Sequence, residues 1–402
     1  MSPSRVAIGV LATCFTLAMF GRGLGDTYAV FLLPLERDFG WTRSQTTGVY
    51  SVYLLVHGFT APLVGLLFDR VGPRWVYGVG LAAIGGAFFL ASGITSLWQF
   101  YVLIGALVGI GVSLNGMVPA SALLSRWFRE RLSTAIGIAY SSFGLGTLLL
   151  VPLAQHLIAE HDWRGAYRAI GGALLVLAPL VALLLPWRTF TAGSLTHRQA
   201  KPKADQGWTL RRALKSPVYW GLTQVFFFTA AGMFCVLVQL VAFLIDAGFP
   251  PLTAASAYGA IGMMSAMSVM GSGYTSDRFG YRQVVSASFI GTASGMVILL
   301  LIAFAPALWL LVLFVPVFGL CMGVRGPIVS SLASRYFAGP QVATIYGGIY
   351  AANAIGAACG SFVGGLLHDF TGGYKVNLVL ALVFIGMATT PFWTVRELRT
   401  YR

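Results

Sequence analysis

The chain alternates between long apolar stretches and short polar connections along its whole length. Each apolar stretch runs on for about 20 residues without the two-residue alternation of a strand, which is the pattern of membrane-spanning helices and excludes a transmembrane β-barrel. We therefore predict an all-α integral membrane protein with twelve transmembrane helices. The predicted spans cover residues 6–34, 44–67, 75–94, 98–124, 133–158, 167–187, 218–245, 253–275, 284–304, 308–333, 343–367 and 375–395.

The composition agrees with this pattern. Of the 402 residues, 57% are hydrophobic and 9% are charged, which is too little polar surface for a domain in water, so the lipid bilayer is the expected surrounding. The four cysteines fall inside apolar spans, without the spacing of a metal site or a disulfide framework. Because no phosphate-binding loop, metal cluster or nucleophile arrangement is evident, we predict that the protein is not an enzyme and needs no cofactor. Its energy would come from a gradient, most simply of protons.

The formal net charge of +14 is unevenly distributed. With the amino terminus in the cytoplasm, 19 of the 26 basic residues fall in cytoplasmic connections, five on the opposite side and two inside spans. This is the positive-inside asymmetry of membrane proteins. It predicts a multi-pass protein of the plasma membrane, or bacterial inner membrane, with both termini in the cytoplasm. The basic excess then indicates topology and not a nucleic-acid partner.

Two motifs occur twice at almost the same offset. The pattern G-x-x-x-D-R-x-G-x-R is found at 65–74 and again at 273–282, and S-R-W/Y-F is found at 125–128 and at 334–337. Two independent matches at one offset predict a six-helix unit that is present twice. The predicted division is an amino-terminal bundle at 1–187, a cytoplasmic linker with a short surface helix at 188–216, and a carboxy-terminal bundle at 217–402.

The repeated loop motif resembles that of the major facilitator superfamily over the full chain. Three stretches are similar to its monocarboxylate transporter-like branch and the bacterial relatives of that branch: "VFLLPLERDFGWTRSQTTGVYS" (30–51), "WFRERLSTAIGIAYSSFGLG" (127–146) and "TLRRALKSPVYW" (209–220). The resemblance implies two pseudo-symmetric six-helix bundles and secondary active transport by alternating access. It also implies a role in the conformational switch, and not in substrate contact, for the motif residues, although a plain topology anchor is the alternative. These residues are Gly65, Asp69, Arg70, Arg74, Gly273, Asp277, Arg278 and Arg282.

Two charges interrupt the first span. Arg22 and Asp26 are four residues apart, so they share one helix face and can form an ion pair. Arg22 is too far from either membrane face for its side chain to reach water, which predicts that it faces a water-filled cavity or its acidic neighbour. Gly21, Gly23 and Gly25 narrow this face and weaken the local helix. A purely structural ion pair remains the alternative.

Arg325 in the tenth span has no acidic neighbour in its own helix. Gly323, Gly326 and Pro327 beside it predict a bent or locally unwound helix, as transporters place at binding sites in the middle of the membrane. The resemblance implies that spans one, four, seven and ten line a central cavity, so that Arg22 and Arg325 face each other across it. One net positive charge would remain there, which fits a small organic anion, most simply a monocarboxylate. An arginine that reaches back towards the cytoplasmic surface is the alternative.

Asp26 is also the candidate for proton coupling. When a substrate carboxylate takes over Arg22, Asp26 loses its partner in a site of low dielectric and takes up a proton, which predicts proton symport. His57 in the second span is a further candidate for titration. Other polar side chains within spans are candidate substrate ligands, with hydrogen bonds between helices as the alternative. They are Asn115, Gln224, Tyr350 and Asn353, and Gln239 is a further residue of this kind.

The pattern departs from the better-known animal members of the branch. Those members carry an acid and an arginine in span eight and a lysine in span one, whereas span eight of this chain has no charge. We therefore expect the ionic groups to be relocated to helices one and ten. The leading function is a carrier of a small organic anion that works as a monomer. A proton-coupled exporter of drugs or metabolites is the alternative, and a transporter-like receptor is a further one.

Overall fold

The computed structural model describes residues 3–128, 132–191, 208–337 and 341–400, without the side chains at 3, 4, 133, 277, 343 and 400. The described residues form helices and connections, and no strand occurs among them. Eleven helical segments are long and apolar enough to cross a membrane. One of them, Thr134–Leu184, has 51 residues and contains a non-helical residue, Asp162 (φ 62°, ψ 177°). This break divides it into two parts that are each long enough to cross, which accounts for the difference from the twelve predicted spans.

The amino-terminal half contains nine α-helices and one π-helix among the described residues. In chain order these are α1 (Pro3–Asp26), α2 (Tyr28–Phe39), α3 (Arg43–Val71), α4 (Pro73–Ala91), α5 (Leu97–Phe100), a π-helix (Tyr101–Leu107), α6 (Val108–Leu114), α7 (Met117–Leu124), α8 (Leu132–Leu184) and α9 (Trp187–Thr191).

The carboxy-terminal half contains eleven α-helices among the described residues. They are α10 (Leu210–Ala213), α11 (Pro217–Leu237), α12 (Leu240–Asp246), α13 (Pro251–Phe279), α14 (Tyr281–Phe304), α15 (Leu308–Met322), α16 (Arg325–Tyr336), α17 (Val342–Thr371), α18 (Lys375–Thr389), α19 (Pro391–Thr394) and α20 (Arg396–Thr400). The single turn of α10 is the short helix expected at the end of the linker. The linker residues 192–207 lie outside the described part of the chain.

Several spans are broken near their middles. The predicted break beside Arg325 is present, because α15 ends at Met322 and α16 begins at Arg325. In the first span, α1 continues through the three glycines and ends at Asp26, one residue after Gly25, and the expected weakening of the helix there stays a prediction. The glycines allow close packing: a Cβ added to Gly23 would come 2.7 Å from the backbone carbonyl carbon of Gly146 in α8. In lipid, such close approach replaces the hydrophobic effect as the means of packing helices.

The two halves meet along two helix pairs, α3 with α17 and α8 with α13. The second contact is especially close, since a Cβ added to Gly144 would come 2.4 Å from the carbonyl oxygen of Gly262. We call the side of the molecule with the α3–α4 and α13–α14 connections the basic end, because it carries the arginines of the repeated motif. The other side, with the α2–α3, α12–α13 and α17–α18 connections, is the opposite end.

Candidate functional site

A cavity of about 450 Å³, which we call the vestibule, lies between the two halves. Its wall includes Arg22, His57 and Tyr140 from the amino-terminal half and Tyr346 and Tyr350 from the carboxy-terminal half. Arg22 is about 29 Å along α1 from its start at the basic end, and Tyr346 is about 6 Å along α17 from the same end, at 1.5 Å per residue. The vestibule therefore extends from the middle of the membrane towards the basic end.

A second cavity, the inner chamber, has a volume of about 210 Å³ and lies on the other side of Arg22. Arg22 lines both cavities. The amino-terminal half contributes Asp26 and Thr147 to the chamber. The carboxy-terminal half contributes a mainly apolar wall that contains Met233, Phe234, Tyr258, Ile261 and Met322. A molecule that entered by way of the vestibule would therefore meet the guanidinium before an apolar chamber.

The predicted pairing of Arg22 with Asp26 is present. Nε of Arg22 lies 3.2 Å from Oδ1 and 3.4 Å from Oδ2 of Asp26. The arginine side chain is 25% exposed, whereas the aspartate side chain is 9% exposed. Nη1 and Nη2 of Arg22 donate no hydrogen bond to a described residue. The ion pair thus fixes the guanidinium through one nitrogen and leaves the other two available.

Asp26 has two further partners, and both are hydroxyl groups. Thr147 of α8 donates from Oγ1 to Oδ2 at 2.8 Å, and Tyr50 of α3 donates from its hydroxyl to Oδ1 at 3.4 Å. The carboxylate is therefore held by α1, α3 and α8 together. Sequence reasoning did not find Thr147 or Tyr50, because the partners are 121 and 24 residues away and carry no charge.

Arg325 is placed differently from the expectation. Its residue is 1% exposed, and it does not line the vestibule or the inner chamber. Its Nη2 donates to Sδ of Met233 at 3.2 Å and to the carbonyl oxygen of Met322 at 3.4 Å, and its guanidinium lies 4.8 Å from the ring centroid of Phe289. Because Met233 and Met322 line the chamber, these two methionines separate the guanidinium from it. Its Nε and Nη1 are buried without a hydrogen-bond partner.

The remaining candidate ligands divide into two groups. His57 and Tyr350 line the vestibule, and Nδ1 of His57 is buried without a partner. Asn115 is fully buried against α1 and α4 and donates to the carbonyl oxygen of Gly111 at 2.9 Å. Gln224 donates to Met387 and Thr390 of the neighbouring α18 region at 2.9 and 3.0 Å.

Asn115 and Gln224 therefore face other helices and not a cavity, which corrects the expectation for both. A polar side chain within a span gains more from a neighbouring backbone carbonyl than from a position in lipid, and this explains the placement. Asn353 is half-buried and lies outside the lining of both cavities, so its expected place in the cavity is also wrong. Gln239 is buried and donates to the carbonyl oxygen of Cys235 at 3.3 Å.

The two loop motifs lie at the basic end. Asp69 and Arg70 are exposed, and no ion pair joins them to another described residue. Arg74 lies over the ring of Trp75 at 5.2 Å. In the second motif, Arg278 and Arg282 stack on rings in the same way, and the side chain of Asp277 lies outside the described residues. The described motif residues therefore do not join the two halves in this conformation, since the vestibule separates the halves at this end, and their expected role in the conformational switch stays a prediction.

The opposite end is closed by a polar network that sequence reasoning missed. Arg43, the first residue of α3, is 5% exposed, and its Nε lies 2.8 Å from Oε1 of Glu36 in the same half. Its Nη1 donates to the hydroxyl of Tyr374 at 2.8 Å, and that hydroxyl donates to Oδ2 of Asp246 at 2.6 Å. Tyr374 and Asp246 belong to the carboxy-terminal half. Burial raises the pKa of Tyr374 well above its usual range, so its hydroxyl keeps the proton that it donates.

A second link crosses at the same place. The backbone N–H groups of Arg43 and Ser44 donate to the two carboxylate oxygens of Asp369 at 2.8 and 2.9 Å. The carboxylate thereby caps the amino terminus of α3, where the helix dipole favours a negative charge. Asp246 and Asp369 both lie at span ends on the side with few charges, which is the signal that could have marked them. The pairing itself spans 326 residues of sequence and required the fold.

Comparisons with known proteins agree with this architecture. The chain is 28% identical over 379 residues to monocarboxylate transporter 13 of Rattus norvegicus, and this alignment covers 94% of this chain and 86% of that protein. It is also 28% identical over 399 residues to monocarboxylate transporter 3 of Rattus norvegicus, with 94% and 79% covered. A crystal structure of a bacterial homolog to the human lysosomal transporter Spinster, in an inward-facing and occupied conformation, has a TM-score of 0.76 at 12% identity and covers 100% of this chain and 98% of that one.

The family pattern described as the Major Facilitator Superfamily matches this sequence twice, at residues 11–278 and at residues 266–401. The two matches together include both copies of the loop motif, the Arg22–Asp26 pair and both cavities. The chain therefore belongs to the Major Facilitator Superfamily, and within it is similar to the monocarboxylate transporters.

Proposed function

We propose that this secondary transporter carries a small organic anion, most simply a monocarboxylate, across the membrane by alternating access. The observation that supports this substrate class is the placement of Arg22. Its Nε is occupied by Asp26, while Nη1 and Nη2 are not engaged by described residues at the boundary between vestibule and chamber. Two parallel N–H groups of a guanidinium match the two oxygens of a carboxylate, and such bidentate contacts are among the stronger hydrogen bonds in proteins.

The inner chamber adds a size limit. Its volume of about 210 Å³ lies below the range of about 300–1,000 Å³ that is common for sites of drug-sized ligands. The side chains of Met233, Phe234 and Ile261 give it an apolar wall. An acid with a short apolar tail would place its carboxylate on Arg22 and its tail in the chamber. This favours a small monocarboxylate over the alternative of a bulky exported drug.

Proton coupling is assigned to Asp26. In the empty carrier Arg22, Thr147 and Tyr50 all contact the carboxylate of Asp26. A substrate carboxylate on Arg22 would compete for its charge, and a proton on Asp26 would then remove the repulsion between two neighbouring carboxylates. Anion and proton would cross together. His57 lies in the vestibule close to this pair and is the second candidate for a proton relay.

Arg325 is assigned to a later stage of the cycle. A buried guanidinium without a carboxylate partner is costly, so we expect another conformation to compensate it. Methionine side chains are flexible and can leave a surface at little cost. Movement of Met233 and Met322 would open Arg325 to the inner chamber. The substrate would meet Arg22 first and Arg325 only when the halves close around it.

Alternating access would use the two ends of the molecule in turn. The vestibule reaches towards the basic end, while the Arg43 network joins the halves at the opposite end. We assign the basic end to the cytoplasm by the positive-inside rule. Release of the Arg43 network would then open the opposite end, and the two loop motifs would approach each other at the basic end.

The proposal is tested by uptake into proteoliposomes with an imposed pH gradient. We expect radiolabelled acetate, lactate or pyruvate to accumulate when the outside is acidic, and the uptake to be lost in the Arg22→Gln variant. Asp38→Asn is a matched control that removes a carboxylate paired with Arg164 inside the amino-terminal half, away from both cavities. Accumulation of amines or drugs in exchange for protons, without any carboxylate uptake, would instead support the exporter.

A further inference from the structure

Two adjoining cavities lie outside the transport pathway, at the basic end of the carboxy-terminal half. The larger, the basic pocket, has a volume of about 1,200 Å³ and is lined by four arginines. They come from four different helices or helix ends and converge on one space. They are Arg278 of α13, Arg282 of α14, Arg335 of α16 and Arg399 of α20.

Three of the four arginines have an aromatic neighbour, and none of the four has an acidic partner among the described side chains, which exclude that of Asp277. Arg282 lies 3.8 Å from the ring centroid of Trp393, and Arg278 and Arg335 lie 5.5 Å from the rings of Phe279 and Tyr281. The rings orient these three guanidinium groups. Nη1 of Arg278 donates to the hydroxyl of Tyr274 at 2.9 Å, whereas Arg282 and Arg335 donate no hydrogen bond to a described residue. The pocket therefore concentrates positive charge that the described side chains do not neutralise.

The wall of the pocket also contains buried hydroxyl groups without partners. Ser276 is 3% exposed, and its Oγ has no hydrogen-bond partner among the side chains and backbone that the structure describes. The Oγ of Ser286 is buried and lacks a partner in the same way. Both residues line the basic pocket. A buried hydroxyl without a partner is unfavourable, so both groups point to a polar ligand.

The second cavity is an apolar groove of about 460 Å³ that continues from the basic pocket. The two cavities share Phe279, Gln283 and Ala287. From Phe279 the groove follows α13 back to Ser268, which is about 16 Å towards the middle of the membrane at 1.5 Å per residue. Its wall includes Val284, Leu320, Cys321 and Val324. The charge is thus confined to the membrane surface, and apolar side chains dominate deeper in.

We infer that the two cavities together bind one anionic phospholipid, with the phosphate in the basic pocket and an acyl chain in the apolar groove. Arginine clusters between helices at a charged membrane surface are suited to lipid phosphate groups. A free phosphate would fill the basic pocket alone and would leave the groove unused. The exposed side chains of Ile290 and Trp393 at the rim of the pocket place it at the boundary between headgroups and acyl chains.

The amino-terminal half shows why the site belongs to one copy of the repeat. A Cβ added to Gly65 would lie 3.6 Å from Val118, which closes the space between α3 and α7. A Cβ added to the equivalent Gly273, or to Gly271, would meet nothing within 4 Å. The first copy of the motif is therefore packed against a neighbouring helix at a position where the second copy is open.

The test compares two double variants with matched charge changes. Arg282→Gln/Arg335→Gln removes two charges from the basic pocket, and Arg70→Gln/Arg74→Gln removes two from the equivalent motif. Native mass spectrometry of detergent-purified protein with dioleoyl phosphatidylglycerol should show one retained lipid in the wild type and in the second variant. Retention should fall by about tenfold or more in the first variant, because the phosphate loses two of the four arginines around it.

Two further arms distinguish the possible ligands. Gly271→Leu fills the groove without touching an arginine, and it should also lower retention of phosphatidylglycerol. Glycerol 3-phosphate and inorganic phosphate should raise the Tm less than phosphatidylglycerol does. The wild-type protein should retain phosphatidylcholine no better than the first double variant retains phosphatidylglycerol. Equal retention in both double variants, or full stabilisation by phosphate alone with no effect of Gly271→Leu, would overturn the proposal. Size-exclusion profiles confirm that each variant is folded.

Discussion

Arg22 and Arg325 are both arginines in the middle of the membrane, but they differ in their neighbours and in their access to the cavities. Arg22 pairs with a carboxylate and lines two cavities, with a quarter of its side chain exposed. Arg325 is enclosed by Met233, Met322 and Phe289, and none of its described neighbours is acidic. The comparison teaches that a charge within a span marks a functional region, but only the neighbours decide in which conformation it can meet a ligand.

The largest expected effect is the loss of transport in Arg22→Gln. The variant removes both free guanidinium nitrogens and leaves Asp26 without its ionic partner. Two charge-assisted hydrogen bonds of about 1.5–3 kcal/mol each predict that carboxylate uptake falls by at least about 100-fold. The fall is measured by comparing the uptake of a labelled acid into proteoliposomes that contain the wild type or the variant. Normal uptake in this variant would remove Arg22 from the site and make Arg325 the stronger candidate.

Asp26→Asn should separate transport from its driving force. The amide oxygen can still accept from one of the two hydroxyl groups of Thr147 and Tyr50, but the amide cannot take up a proton. Uptake driven by a pH gradient should therefore be lost while exchange of labelled for unlabelled acid continues. Counterflow and gradient-driven uptake are measured in the same vesicles. Thr147→Val is the control, because it removes one donor to the carboxylate and leaves the carboxyl group. Unchanged coupling in Asp26→Asn would assign the proton to another group.

Arg325→Met should have a smaller and distinctive effect. Replacing a buried, unpaired charge by an apolar side chain of similar length is neutral or stabilising, so the Tm should not fall. If Arg325 acts after closure, uptake should decrease by about tenfold while acid binding to the open form changes by less than about twofold. Thermal unfolding, binding and uptake on one preparation measure the three quantities. Loss of binding equal to that of Arg22→Gln would show that both arginines act in the same conformation.

The smallest effect is expected at the opposite end. Tyr374→Phe removes the hydroxyl that links Arg43 to Asp246 across the halves. Loss of a net stabilisation of about 0.5–1.5 kcal/mol should shift the population up to about tenfold towards the form open at that end. Distances between spin labels at positions 98 and 252, both exposed near this end, report the shift.

Tyr28→Phe is the matched control for this experiment. Its hydroxyl donates to the carbonyl oxygen of Thr46 at 2.6 Å within the amino-terminal half. Its loss should lower stability without a change in the label distance. If both variants give the wild-type distance distribution, the Arg43 network does not control the opening of that end.

Much of the fold follows from local pattern. The span positions, the break beside Arg325 and the pairing of Arg22 with Asp26 depend on periodicity or on neighbours within one helix, and the structure contains all three. The superfamily followed from the repeated loop motif. These features needed no knowledge of which helices pack together.

The parts that sequence reasoning missed all depend on contacts between distant helices. The hydroxyl of Thr147 reaches Asp26 across 121 residues, and Arg43 meets Asp369 across 326 residues. Asn115 and Gln224 resemble cavity residues by composition alone, but their helices rotate them onto neighbouring backbone. Helix rotation about its own axis is set by packing, and an apolar span in lipid gives little periodic signal for it.

The most direct test of the central role of Arg22 is a binding measurement. Purified wild-type protein is heated with a small carboxylate and, separately, with its neutral primary amide, and the same pair is applied to Arg22→Lys. We predict that the acid raises the wild-type Tm by mass action, that the amide does not, and that Arg22→Lys loses most of the shift because lysine lacks the bidentate fork. Equal shifts from acid and amide, or a full shift in Arg22→Lys, would contradict recognition of an anion at Arg22.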